Sequence, residues 1–178
     1  IAGIAFLLIL TLLPDKNGDS EKKDFLNLWT EFLLRYVQMS DIEKLPVYEY
    51  LDEICEKLKN SPSRFLVLTA ETAAGKSTAV PVSLLKHFSG QILMLEPRRL
   101  AVVNIASRVS ELLGDVPGGL CGYTVHLEKK VSPRTRFTVL TEAVLTRMMQ
   151  SDPVLEGVSV VVIDEFHERS VHSDLALA

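Results

Sequence analysis

Two short stretches of this chain leave few folds open: Ala70-Glu71-Thr72-Ala73-Ala74-Gly75-Lys76-Ser77, and Asp164-Glu165-Phe166-His167 at the end of an apolar run. The first follows Arg64-Phe65-Leu66-Val67-Leu68-Thr69, whose β-branched and apolar residues predict a buried strand, and precedes residues 78–88, which predict a helix. A phosphate-binding loop needs that strand-loop-helix setting, because the turn presents backbone N–H groups and a helix N-terminus to the phosphates. Lys76 then reaches the β/γ-phosphates, and the Ser77 hydroxyl is suited to Mg²⁺. The second stretch supplies what the first lacks. Val158-Ser159-Val160-Val161-Val162-Ile163 predicts another buried strand, so Asp164 and Glu165 fall at its C-terminal end, where open α/β sheets bind ligands. There Asp164 is suited to hold Mg²⁺ through water, and Glu165 to orient or deprotonate the water that attacks a γ-phosphate. A turn that binds nothing explains either stretch alone, but not the two together.

Between them, periodicity switches repeatedly. Gln91 to Leu95 predicts a strand, Leu100 to Leu113 a helix ended by Gly114, Thr135 to Leu140 a strand, and Glu142 to Gln150 a short helix closed by Ser151-Asp152-Pro153. Gly119 to His126 is a further candidate strand, weakened by its glycines. Strands alternating with helices predict a mainly parallel sheet covered on both faces. Glu96-Pro97-Arg98-Arg99 leaves a strand end where the proline suits the first turn of a helix, which aims both arginines into the same C-terminal crevice. Forked contacts to phosphate or a plain exposed helix start both account for them. For Thr141-Glu142, a simple N-cap threonine suffices.

Ahead of the phosphate loop, Phe25, Trp29, Phe32, Leu33 and Tyr36 recur at helical spacing, as do Val47, Leu51, Ile54, Cys55 and Leu58. Two amphipathic helices are expected. Residues 15–24 read as a linker, and the apolar run Ile1 to Leu13 is shorter than the roughly 20 residues of a membrane span. It fits a buried helix, an upstream remnant, or the remnant of a longer span or signal core. The chain opens on Ile, so it is expected to begin inside a longer reading frame or after removal of something. Net charge is −4 at pH 7, yet residues 98–147 hold eight basic against four acidic side chains. That excess suits either a solvated surface of mixed charge or an electrostatic footprint for nucleic acid. Two cysteines without metal-ligand spacing make a reducing, cytoplasmic setting the default.

Taken together, the motifs resemble the first RecA-like domain of the DEAH-box helicases, most closely their HrpB-type branch. The resemblance runs from about Leu45 to Ala178. It rests on Leu45-Pro46-Val47-Tyr48, the loop from Ala70 to Thr78, Leu95-Glu96-Pro97-Arg98-Arg99-Leu100-Ala101, Leu140-Thr141-Glu142, and the highly specific Asp164-Glu165-Phe166-His167-Glu168-Arg169-Ser170. It implies a P-loop NTPase fold over residues 44–178, with residues 1–43 a separate leading segment of uncertain role. It implies ATP or another NTP with Mg²⁺, held by Thr72, Ala73, Ala74, Gly75, Lys76, Ser77 and Thr78. By the same resemblance Lys76, Asp164, Glu165 and His167 serve catalysis, with Ser77 and Asp164 at the metal and His167 coupling the nucleotide to the cleft. Arg108 would stack on the base without reading its edge, and Arg98, Arg99 and Thr141 would touch the backbone of single-stranded RNA or DNA. Two departures stand out: Ala73 and Ala143 replace glycines usual in the family, and each methyl restricts the backbone. The family also needs a second RecA-like domain, so the expected parent is an NTP-dependent helicase, and this segment alone is expected to hydrolyse poorly. A nucleotide-binding module or pseudo-ATPase that uses the loop as a switch is the alternative.

Overall fold

The computed structural model describes residues 41–63 and 65–166, all within the compact unit that begins at Leu34. The leading apolar run, the linker, the first amphipathic stretch, Arg64, and His167 to Ala178 lie outside the described residues. Strands β1 (Gln91–Leu95), β2 (Cys121–Val125), β3 (Glu128–Lys130), β4 (Phe137–Leu140) and β5 (Val158–Ile163) form one sheet in the order β3-β2-β4-β1-β5. All pairings are parallel except β2 with β3. The helices are α1 (Leu51–Asn60), α2 (Ala79–His87), α3 (Arg99–Leu112) and α4 (Glu142–Ser151), and a 3₁₀ turn at Tyr48–Tyr50 leads into α1.

The central strand β1 shows why the sheet is covered on both faces. Successive side chains of a strand point to opposite faces, and Ile92, Leu93, Met94 and Leu95 are all buried. Ile92 and Met94 join Phe137, Val139, Tyr123 and the buried stripes of α1, α2 and α3 in the main core. Leu93 and Leu95 join Leu140 and Leu145 of α4 in a second one. Within α1 the stripe is Leu51, Ile54 and Cys55, with Leu58 partly buried, as the helical spacing predicts. Gly122 sits in β2 for a reason of space: a Cβ there would run into the Lys130 carbonyl of the adjoining β3 region. Both thiols are buried, and burial pushes Cys121 up to about 12, so neither is a poised nucleophile.

Several expectations are corrected. Residues 65–70 form no strand. Leu66 and Leu68 pack against the main core while Phe65 and Val67 are 56% and 70% exposed, so the segment keeps a strand's two-residue period without joining the ladder. The strand over 158–163 is not fully buried: it is the edge of the described sheet, and Val161 is 39% exposed. Pro97 lies outside the first turn of α3, whose N-cap is Arg98. Thr141 is the N-cap of α4 without a side-chain capping bond; its carbonyl instead accepts the Val144 and Leu145 N–H groups at 2.9 and 3.2 Å. The short strand β3 has no counterpart in the sequence reading.

Candidate functional site

Three neighbouring parallel strands end in one row. Leu140 of β4, Leu95 of β1 and Ile163 of β5 are register partners, so the next residues, Thr141, Glu96 and Asp164, emerge side by side at the C-terminal edge. Backbone bonds carry the row one step further, from Glu96 N–H to Leu140 O at 3.1 Å and from Asp164 N–H to Leu95 O at 3.0 Å. Parallel sheets place their ligand sites at this edge.

The phosphate loop reaches that edge through a side-chain bond: the Ser77 hydroxyl donates to the Asp164 Oδ2. Two motifs 87 residues apart therefore meet at a hydroxyl and a carboxylate oxygen. Those two hard oxygens fit Mg²⁺, which takes one or two protein ligands and completes its octahedron with water and phosphate oxygens. Among the described residues no group of three or more His, Cys, Asp or Glu side chains could hold a metal by itself.

The loop is held from below. Its Ala74 carbonyl accepts the Val47 N–H at 3.1 Å, and the Gly75 carbonyl accepts the Ala79 N–H at 2.8 Å as α2 begins. Gly75 has φ +95°, and a Cβ there would sit 2.8 Å from Leu45 Cδ1. Ala73 also has a left-handed backbone, at φ 62°. That conformation costs a non-glycine residue about 1–2 kcal/mol, which gives a physical meaning to alanine at this position. The Lys76 ammonium turns onto its own loop, donating to the Ala70 and Glu71 carbonyls at 2.6 and 2.8 Å. Those carbonyls occupy the role that phosphate oxygens would take.

Glu165 has φ 50°, outside the regions most residues adopt, and its N–H donates to Asp164 Oδ1 at 3.0 Å. Beside these acids lies Glu96, a residue the sequence reading quoted without a role. It is 3% exposed. Burial raises its carboxyl above the ordinary value, the Arg98 N–H donated to it at 3.2 Å opposes that, and the charges of Asp164 and Glu165 add to the rise. The signal available in sequence was a glutamate directly after an apolar strand.

The remaining candidates are spread along α3. Arg98 and Arg99 are exposed at its start, with Arg99 bridged to Glu128 of β3 at 3.2 Å. Arg108 is paired with Asp41 at 3.6 Å and Glu111 at 3.2 Å. His167 lies outside the described residues.

A mainly parallel α/β sheet with a phosphate-type loop and an acidic pair at its C-terminal edge defines the P-loop class of NTP-binding domains. Residues 50–175 match the DEAD/DEAH box helicase family, and the chain belongs to that family. It is 50% identical over 139 residues to the ATP-dependent RNA helicase HrpB of Escherichia coli, covering 77% of this chain and 17% of that protein. It is 41% identical over 152 residues to the ATP-dependent RNA helicase DHX29 of Mus musculus, covering 78% of this chain and 11% of that one. Its fold is similar to the crystal structure of the E. coli DEAH/RHA helicase HrpB, with a TM-score of 0.71 over 75% of this chain and 17% of that chain. The chain thus spans under a fifth of the length of these relatives.

Proposed function

We propose that this chain contributes the nucleotide-binding half of an ATP-dependent RNA helicase, with residues 44–178 as its first RecA-like domain and a cytoplasmic setting. The observation that carries the reading is the Ser77–Asp164 side-chain bond, which joins the two motifs at the C-terminal edge of the sheet. In this reading Lys76 leaves the Ala70 and Glu71 carbonyls for the β/γ-phosphates, and the loop from Thr72 to Thr78 cradles them through backbone N–H groups. Ser77 and Asp164 hold Mg²⁺, which when bound neutralises charge on the phosphates. Glu165 orients the attacking water, and His167 couples the site to the rest of the cleft. Arg108 faces the base, while Arg98, Arg99 and Thr141 take the backbone of a single RNA strand. Both relatives are ATP-dependent RNA helicases, which favours RNA over DNA as that strand. Unwinding is expected of the whole protein that carries this domain.

The self-directed Lys76 ammonium favours a second reading, a nucleotide-binding switch without turnover. Titration with a fluorescent ATP analogue and Mg²⁺ tests the shared part. Lys76→Ala should abolish Mg²⁺-dependent binding, because Lys76 is the cation within the loop; equal affinity of variant and parent would remove the loop as a phosphate site. Phosphate release by the parent protein separates the readings, since a switch binds nucleotide and releases none.

A further inference from the structure

Glu128 stands where the proposed nucleic-acid face meets the antiparallel end of the sheet. It opens β3, opposite Val125 of β2. One carboxylate oxygen accepts the Tyr123 hydroxyl and the other accepts Arg99 Nη2 at 3.2 Å. The Tyr123 ring is in the main core, so its hydroxyl is a fixed donor rather than a swinging one. Those two donors hold the Glu128 carboxyl below its ordinary value, with the tyrosine the larger cause. The carboxylate is therefore ionised and anchored, and it lies on the one guanidinium that opens α3. Around it the surface is otherwise suited to a polyanion with bases. Lys129 and Lys130 follow on the same strand, Arg98 precedes Arg99, and Leu100 and Leu127, the chain neighbours of the bridged pair, are 79% and 90% exposed.

We propose that Glu128 is a positioning residue that gates Arg99: it aims the guanidinium across the β2–β3 hairpin and competes with an RNA backbone phosphate for it. This inference rests on the reading of Arg99 as a strand contact. A freely rotating glutamate would swing aside when a phosphate arrived. Glu128 is tied to Tyr123, so its charge stays near the incoming phosphate and opposes it. The gate sets affinity and salt response without reading any base.

Fluorescence anisotropy of a labelled oligouridine strand with the 178-residue chain tests this. Glu128→Gln keeps an oxygen for Tyr123 or Arg99 but removes the charge. It should tighten binding about two- to fivefold at low salt, the range of an exposed ion pair, and the gain should shrink as salt screens it. Tyr123→Phe keeps the ring and releases the carboxylate, so it should give a smaller gain of the same sign. Arg99→Gln should weaken binding, and adding Glu128→Gln to it should recover little. A purely structural Glu128 would give losses in the first two variants, with no salt trend, and unchanged or weaker binding by Glu128→Gln overturns the gate. Unchanged binding by Arg99→Gln overturns the strand-contact reading itself, and the gate with it.

Discussion

Gly75→Ala puts the geometry of the phosphate loop to a quantitative test. At φ +95° an alanine carries at least the left-handed cost of about 1–2 kcal/mol. Its Cβ would also stand 2.8 Å from Leu45 Cδ1 and 3.1 Å from both Leu45 Cβ and Val47 Cγ1. Val47 is buried and Leu45 is packed against the main core, so neither yields freely, and overfilling of this kind costs about 1–3 kcal/mol. The loop has little room to escape, because the bonds from Val47 N–H to Ala74 O and from Ala79 N–H to Gly75 O hold it on both sides. The stiffer unfolded chain returns about 0.4–1 kcal/mol. We expect a net loss of roughly 1–4.5 kcal/mol in urea unfolding followed by circular dichroism, together with weaker nucleotide binding. Ala73→Gly, two positions earlier, should act in the opposite direction. It relieves the strain at φ 62° against a similar entropy term, for a gain of about 0.5–1 kcal/mol. A Gly75→Ala protein within about 0.5 kcal/mol of the parent, the scatter of an unremarkable surface change, with unchanged nucleotide affinity, would refute this account of the loop.

Two further predictions use the acidic row. In the parent protein, Glu165→Gln keeps the side-chain size and loses the base, so ATP-analogue binding should persist while phosphate release falls by 10²-fold or more, on the order typical of a lost general base; a fully active variant would take Glu165 out of the water-activating role. Glu96→Gln should change the pH dependence of stability. The folded carboxyl is raised, chiefly by burial, so its contribution is fully present below the ordinary carboxylate value and is lost as pH rises through the raised one. The glutamine variant should therefore gain stability over the parent at neutral pH and lose that advantage in acid, in unfolding midpoints measured across the range. Parallel curves for the two proteins would show that the fold does not raise the Glu96 carboxyl, whatever Asp164, Glu165 and Arg98 contribute around it.

Much of the sheet was legible because its strands are apolar on both sides. Gln91–Leu95 and Val158–Ile163 match the expected strands to the residue, and α2, α3 and α4 match their expected helices to within two residues at each end, whereas α1 begins at Leu51, four residues after the Val47 that opens its expected stripe. Gly114 at the end of α3 and Asp152 after α4 mark their limits as turn chemistry requires. Ser77 and Asp164 meet, as two motifs expected to serve one site should, although the segment before the loop joins no strand ladder. Glu128 and Glu96 were not legible as functional residues. An exposed glutamate in a basic stretch and a glutamate at a strand end carry no periodic signal, and only their partners, Arg99 and Tyr123 for one and the acidic row for the other, give them meaning.

The misreading of residues 65–70 has the most instructive cause. Alternating burial, with Leu66 and Leu68 inward and Phe65 and Val67 outward, is a statement about faces of a segment. Ladder membership is a statement about edges, which side chains do not report. The described sheet stops at β5, whose pairing side toward β1 is filled and whose own residues alternate between half-buried and exposed. The phosphate loop is nevertheless carried to the sheet edge, by core contacts of Leu66 and Leu68 from one side and by the Ser77–Asp164 bond from the other. Loop position therefore depends on side-chain packing, the backbone bonds at Ala74 and Gly75 and the Ser77–Asp164 contact rather than on a strand ladder beneath it. That makes the Ser77–Asp164 pair a structural tie as well as a metal-suited one, and the loop's two left-handed residues, Ala73 and Gly75, rather than residues 65–70, are where substitution should be felt first.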